Sequence, residues 1–233
     1  MFESRTRKFA LLFWNIAFAA LCSGPALAAA PTFNWTGVYV GVNAGLSAGN
    51  FNEVWADSSG PYSYDSARSN GFSGGGQAGL NFRPGASNFV LGVEGDVQGS
   101  TLDGTYADYG TALHFGTSVN WWATARGRVG YSVGNILPFV TGGFAFGQIT
   151  NDYYDQSLSL NTKWSNSRSG WTAGGGIEDA VTPKLSVKVE YLYTDLGSST
   201  ATNADISAAF PGTMITTNTT FSTLRVGVNW KLN

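Results

Sequence analysis

The run Gly74-Gly75-Gly76-Gln77-Ala78-Gly79 has the G-x-G-x-x-G spacing with which backbone amides cradle a pyrophosphate. That chemistry needs a strand before the motif and a helix opening on it. Here Asn81-Phe82-Arg83-Pro84 leads into a turn, so the spacing makes no nucleotide site. His114 is the single histidine. Ser118 follows four residues on, but no acidic residue is evident to orient the ring, and one His makes neither a nucleophilic triad nor a zinc site. Asp152 and Asp155 lack calcium-loop spacing. The residues left with chemistry to do are charges set at strand spacing: Arg83, Glu94, Asp96, Arg126, Arg128, Glu178, Lys188, Glu190, Arg225 and Lys231. Six bases and four acids face away from the aliphatics of their own segments, a set able to pair and neutralise itself.

Segments with a period of two must carry them. Val38, Val40, Val42, Ala44 and Leu46 alternate with Tyr39, Gly41, Asn43, Gly45 and Ser47; Leu224, Val226, Val228, Trp230 and Leu232 alternate with Thr223, Arg225, Gly227, Asn229 and Lys231. Alternation of this kind puts the two sets on opposite faces of a strand. Eight such segments occur, roughly at 36–48, 71–83, 88–98, 119–132, 137–149, 169–181, 185–194 and 221–232. Each meets the roughly 9–11 residues a tilted strand needs to cross hydrocarbon. The gaps between them alternate long and short without exception, the long ones beginning with Ala48 to Asn70. The short ones hold Pro84-Gly85, Gly134-Asn135 and Thr182-Pro183-Lys184, which suit tight reversals. Long outer loops and short periplasmic turns are the pattern of an outer-membrane barrel. The expected fold is therefore all-β: an eight-stranded antiparallel up-and-down transmembrane β-barrel.

The ends and the composition agree. Arg5, Arg7 and Lys8 precede an apolar run from Phe9 to Cys22, and Ala26-Leu27-Ala28 offers a cleavage site, with Ala30 as the alternative. The expected organisation is a cleavable signal peptide over 1–28 and a barrel domain over 29–233. Cys22 leaves with the leader, so no thiol chemistry is expected. Removing Arg5, Arg7, Lys8 and Glu3 leaves ten basic and fourteen acidic residues, which speaks against a nucleic-acid partner. Charged residues make up 12% of the chain, about half the usual share, as expected where lipid covers one face.

In a barrel of eight strands the interior is just wide enough for side chains. The ten charges are therefore expected to form a paired network that fills the lumen. An aromatic girdle is expected from Trp35, Phe72, Phe89, Trp121, Tyr131, Phe139, Trp171, Tyr191, Tyr193 and Trp230, since amphipathic rings favour the headgroup level. Trp122 has the parity to line the upper lumen. The loops carry Glu53, Asp57, Asp65, Asp103, Asp108, Asp152, Asp155, Asp195 and Asp205 against Arg68, Lys163 and Arg168, an acidic outer crown. No cofactor and no metal are expected.

Several blocks, in order along the chain, resemble the small outer-membrane immunogenic proteins of alphaproteobacteria. They are Asn34-Trp35-Thr36-Gly37-Val38-Tyr39-Val40-Gly41, Val93-Glu94-Gly95-Asp96, Arg126-Gly127-Arg128-Val129-Gly130-Tyr131, Leu137-Pro138-Phe139-Val140-Thr141-Gly142-Gly143, Gly170-Trp171-Thr172-Ala173-Gly174-Gly175-Gly176, the stretch from Val187 to Gly197, and Leu224 to Leu232. The resemblance implies an OmpA-like, porin-family barrel in the bacterial outer membrane and offers no catalytic residues. Two positions depart from its pattern: Leu232 and Asn233 stand where such barrels end in Phe, and Asp179 has lipid-facing parity near the turn at Thr182. The expected function is a structural and surface protein of the outer membrane, not an enzyme. Its partners are outer-membrane lipid, lipopolysaccharide and the barrel-assembly machinery. The alternatives are a small-solute porin, an outer-membrane lipid-modifying enzyme, and a surface receptor or adhesin. The last would act through loop residues Tyr62, Tyr64, Tyr106, Tyr109, Tyr153, Tyr154 and His114, with haem as one ligand.

Overall fold

The computed structural model describes residues 33–107, 113–155, 160–201 and 212–232, without the side chains of 105–107, 113–115, 153, 155, 160, 162 and 201. The expected leader, His114 and the loop residues Tyr106, Asp108, Tyr109, Tyr153, Asp155 and Asp205 fall outside what is described, at least in their side chains. Eight strands run in chain order: β1 (Gly37–Asp57), β2 (Gly60–Phe82), β3 (Phe89–Ala107), β4 (Leu113–Tyr131), β5 (Ile136–Asp155), β6 (Leu160–Ala180), β7 (Leu185–Ala201) and β8 (Met214–Lys231). Each pairs antiparallel with the next, and β8 closes on β1 to make a barrel. The expected fold is the one observed.

The register fixes the barrel's geometry. A line of paired residues leaves β1 at Ala48 and passes Ser222, Tyr193, Ala173, Gly142, Gly127, Val93 and Leu80, then returns to β1 at Val38. The return point is ten residues below the start. A stagger of that size over eight strands tilts them by about 40° and leaves a bore that side chains can span. Every residue on this line faces outward. The apolar set that includes Val42, Leu46, Val97, Val140 and Phe144 is exposed on the same face. From Val38 to Leu46 this gives an apolar band about 20 Å tall, close to the hydrocarbon-facing belt of such barrels.

Inward glycines make room for large neighbours. A Cβ on Gly79 would strike the Tyr39 ring, and one on Gly45 would meet Arg225. At the turns, Gly85 and Gly134 take positive φ of 55° and 63°, the conformation a tight reversal demands.

The strands are longer than hydropathy suggests, 17 to 23 residues. The stretch Ala48 to Asn70, expected as a loop, continues β1 and β2 as a paired hairpin that turns at Ser58-Ser59. Polar residues hid this extension: above the membrane both faces are wet, so the apolar alternation ends while the backbone ladder does not. The ladder around the barrel is also not uniform. Pairing between β2 and β3 stops at Ser73–Ser100, and pairing between β6 and β7 stops at Trp171–Asp195. Beyond these points β7-β8-β1-β2 and β3-β4-β5-β6 continue as two four-stranded ribbons. At the first parting Ser69 clasps Asp103: its Oγ donates to the Asp103 carbonyl and accepts from the Asp103 amide.

Candidate functional site: the layered lumen

The charges on the inner face meet because strand parity and register bring five strands, β3, β4, β6, β7 and β8, to one level. On neighbouring strands Glu94 is directly opposite Arg126, Glu178 opposite Lys188, and Glu190 opposite Arg225. The contacts then cross the bore. Arg126 bonds Glu94 at 2.5 Å, Asp96 at 2.9 Å and Glu190 at 2.7 Å. Arg225 reaches Glu190 at 2.7 Å and Asp96 at 3.0 Å. Lys188 sits 2.8 Å from both oxygens of Glu94, and Arg128 pairs with Glu178 at 2.7 Å. These eight residues, four basic and four acidic, have side chains no more than 3% exposed.

Neutral donors complete the layer. Tyr39 donates to Glu94 at 2.7 Å and accepts from Arg128 at 3.1 Å. Thr124 and Gln98 donate to Asp96, and Ser186 and Asn229 donate to Glu178. A buried charge is tolerable only when it is paired and its remaining lone pairs are satisfied; this layer meets both conditions at every carboxylate.

Two of the ten expected network residues stand elsewhere. Arg83 lies past the end of β2, half-exposed, and donates to the Ser87 carbonyl and, at 2.9 Å, to Asn88. Lys231 lies at the same end of the barrel, with Nζ 2.6 Å from the Asn34 carbonyl and 5.4 Å from the Phe33 ring. Parity gives these two the right face, but both sit at strand ends, beyond reach of the carboxylates.

Below the charged layer the segment before β1 folds under the barrel. Trp35, 2% exposed, packs with Val90, Leu137 and Ala180, and Phe33 meets its ring edge-on at 4.7 Å. Trp35 is thus not part of the girdle: its ring turns inward because the short segment ahead of β1 passes beneath the bore. Phe139 also leaves the girdle, with its ring 4.3 Å from the Arg128 guanidinium inside the lumen; its inward parity, shared with Leu137 and Thr141, already carried that signal. Phe72, Phe89, Tyr131, Trp171, Tyr191, Tyr193 and Trp230 are exposed on the outer face, and Trp121 is half-exposed there, bonded to Gln148 at 3.1 Å.

Above the charged layer lies an apolar one, for which sequence reading supplied only Trp122. Phe51, Leu102, Val119, Trp122, Ile149, Leu192, Leu196 and Phe221 pack together inside the bore.

 The Trp122 and Phe221 rings meet edge-on at 5.4 Å, and the Arg225 guanidinium lies 6.0 Å from the Trp122 ring, which joins this layer to the one beneath. The signal was present in the inward parity of Phe51, Leu192 and Phe221, but these lie where polar neighbours mask the period.

Higher still, two charges expected in the outer crown point inward. Glu53 is 2% exposed and accepts from Thr117 at 3.4 Å. It lies five residues beyond Ala48, outside the apolar band. Burial pushes its carboxyl up to about 7; Asp65 adds to the rise, while the hydrogen bond from Thr117 and the charge of Arg168 oppose it. Arg168 is likewise buried, and its Nη1 donates to the Thr217 carbonyl at 2.8 Å. Asp179, as its parity implies, is exposed near the turn.

Comparison with known proteins agrees with this architecture. The family model described as "Outer membrane protein beta-barrel domain" matches residues 16–231. The 31 kDa outer-membrane immunogenic protein of Brucella melitensis is 34% identical over 219 residues, covering 90% of this chain and 88% of that protein. The 25 kDa outer-membrane immunogenic protein of Brucella abortus is 30% identical over 206 residues, covering 87% and 81%. Among solved structures, the outer membrane protein OprG from Pseudomonas aeruginosa superposes with a TM-score of 0.52 at 9% identity, covering 86% of this chain and 98% of that one, a likeness of fold. A closed ring of eight tilted strands, greasy outside and charged within, and relatives of this similarity over nearly their whole length lead to one conclusion: the chain belongs to the outer-membrane β-barrel family and resides in the bacterial outer membrane.

Proposed function

We propose that this barrel is a structural and surface protein of the outer membrane whose lumen is closed to solutes. The single observation that carries this reading is the fully paired, electrically neutral layer around Arg126 and Glu94. The apolar layer at Trp122 and Phe221 and the Trp35 cap support it from either side. An ion entering the bore must break contacts among buried charges, and separating one such pair costs about 3–5 kcal/mol. Lipid and lipopolysaccharide contact the outer face, the assembly machinery inserts the chain, and residues 1–28 are removed on export. Of the two ribbons that rise above the membrane, β7-β8-β1-β2 presents Tyr62 and Tyr64 on β2, 55% and 73% exposed, a surface suited to recognition from outside, as the name of the immunogenic relatives suggests. The barrel is not an enzyme on this reading, because its clustered ionisable groups are buried and consumed by one another. Planar-bilayer recording of the refolded mature chain tests the closed lumen. Baseline current is expected; a stable, large open state overturns it in favour of a small-solute porin.

A further inference from the structure

Five basic side chains are buried among the described residues, and four of them grip carboxylates. Arg168 is the exception. It is 6% exposed, and no ion pair of the described residues includes it. Nη1 is anchored, donating to the Thr217 carbonyl at 2.8 Å and reaching the Gly197 carbonyl and Thr219 Oγ1 at 3.5 Å. Nε is buried with no partner, and every hydrogen bond the guanidinium makes among the described residues runs through Nη1. The edge left over, Nε with Nη2, is one by which a guanidinium holds two oxygens of an oxyanion side-on.

The position of this edge matters as much as its lack of a hydrogen-bond partner among the described residues. Arg168 lies three residues beyond Trp171, where the β6–β7 ladder ends. Three tilted residues place it about 8 Å above Trp171, on the outer side of the aromatic girdle that marks the headgroup level. The β7 register shifts between Asp195 and Ser198, and Gly197 takes φ of 69°, so β7 turns aside from β6 at this height. Among the described residues, the one carboxyl whose field reaches Arg168 is Glu53. Burial holds that group partly protonated near neutral pH, so it compensates the guanidinium poorly. A buried cation in this state is costly unless an anion is supplied from outside.

We propose that Arg168 is an oxyanion receptor whose Nε–Nη2 edge takes a carboxylate or phosphate group side-on. The oxyanion comes either as a soluble small anion through the outer mouth of the barrel or as a headgroup phosphate through the parting of β6 and β7. Nη1, fixed on the Thr217 carbonyl, sets the plane of the fork. The site does not depend on whether the lumen beneath conducts.

The test is nuclear magnetic resonance of arginine Nε–H groups in the refolded mature chain, in detergent micelles free of phosphate and carboxylate. Acetate or inorganic phosphate is titrated in. One Nε–H resonance is expected to move saturably. The response disappears in Arg168→Gln, persists in Arg68→Gln, which removes an exposed arginine, and weakens about tenfold in Arg168→Lys, which keeps the charge and loses the fork. If Arg168→Gln does not fold, Arg168→Lys carries the comparison. Bilayers of phosphate-bearing lipid and of an uncharged, phosphate-free glycolipid then separate the sources. A resonance already shifted in the first and not in the second assigns the headgroup; one that moves only when acetate or phosphate is added, in both, assigns the soluble anion. No saturable shift in any medium, or a shift that survives loss of Arg168, overturns the proposal.

Discussion

Lys188 on β7 reaches across the bore to Glu94 on β3, with its Nζ 2.8 Å from each carboxylate oxygen. The two residues are 94 positions apart in sequence, and no local interaction brings them together; the closed register does. Because both side chains are buried, the loss of either leaves an uncompensated charge. Glu94→Gln or Lys188→Met alone is expected to cost about 3–5 kcal/mol. The double variant is expected to recover part of that loss, since the orphaned charge is gone. Urea unfolding of the refolded barrel in detergent, followed by Trp fluorescence, measures both; additive losses in the double variant would contradict the pairing.

Glu53 gives the barrel a pH dependence of defined sign. Its folded pKa, about 7, lies above the ordinary 4.5, so between those values the folded state binds more protons than the unfolded one. Stability falls as pH rises through this window and levels off above it. The facing groups are Asp65 on β2, Thr117 on β4 and Arg168 on β6. Glu53→Gln should remove a loss of about 3 kcal/mol between pH 4.5 and pH 8 relative to the parent. Unfolding midpoints across that range check it, and identical pH slopes in the two proteins would count against a neutral buried carboxyl.

Trp35 caps the bore from below. Trp35→Ala should cost about 3–5 kcal/mol, as large aromatic truncations in packed sites do. It should not open a conducting path, because the charged layer above remains paired. Unfolding and bilayer recording on the same preparation separate these effects; a large current in this variant would make the cap, and not the charge layer, the closing element.

The lipid face is tested at Val42, which is 66% exposed on the outside at mid-band. Val42→Arg should destabilise by roughly 2–4 kcal/mol, whereas the same change at exposed Asn52, above the band, should cost under about 1 kcal/mol. The comparison is read as folding free energy into bilayers. Equal costs at the two positions would place the hydrocarbon boundary elsewhere.

The eight crossings, the sign of each face and most of the charged set were legible in the sequence, because a period of two records which medium each side chain meets. Glu94, Arg126, Lys188 and Arg225 could be assigned inward from their neighbours alone. What parity cannot record is depth. Arg83 and Lys231 share the inward face with the network yet sit at strand ends, and Trp35 and Phe139 have aromatic rings suited to a girdle yet turn into the bore. Depth, pairing partner and the points where neighbouring strands part follow from the stagger of the closed ladder, a property of eight strands together. Above the membrane water wets both faces, so the period that marks a strand fades from the sequence there. Only the tertiary structure could show that the strands continue, that Glu53 and Arg168 turn inward, and that the Nε–Nη2 edge of Arg168 is left without a partner among the described residues.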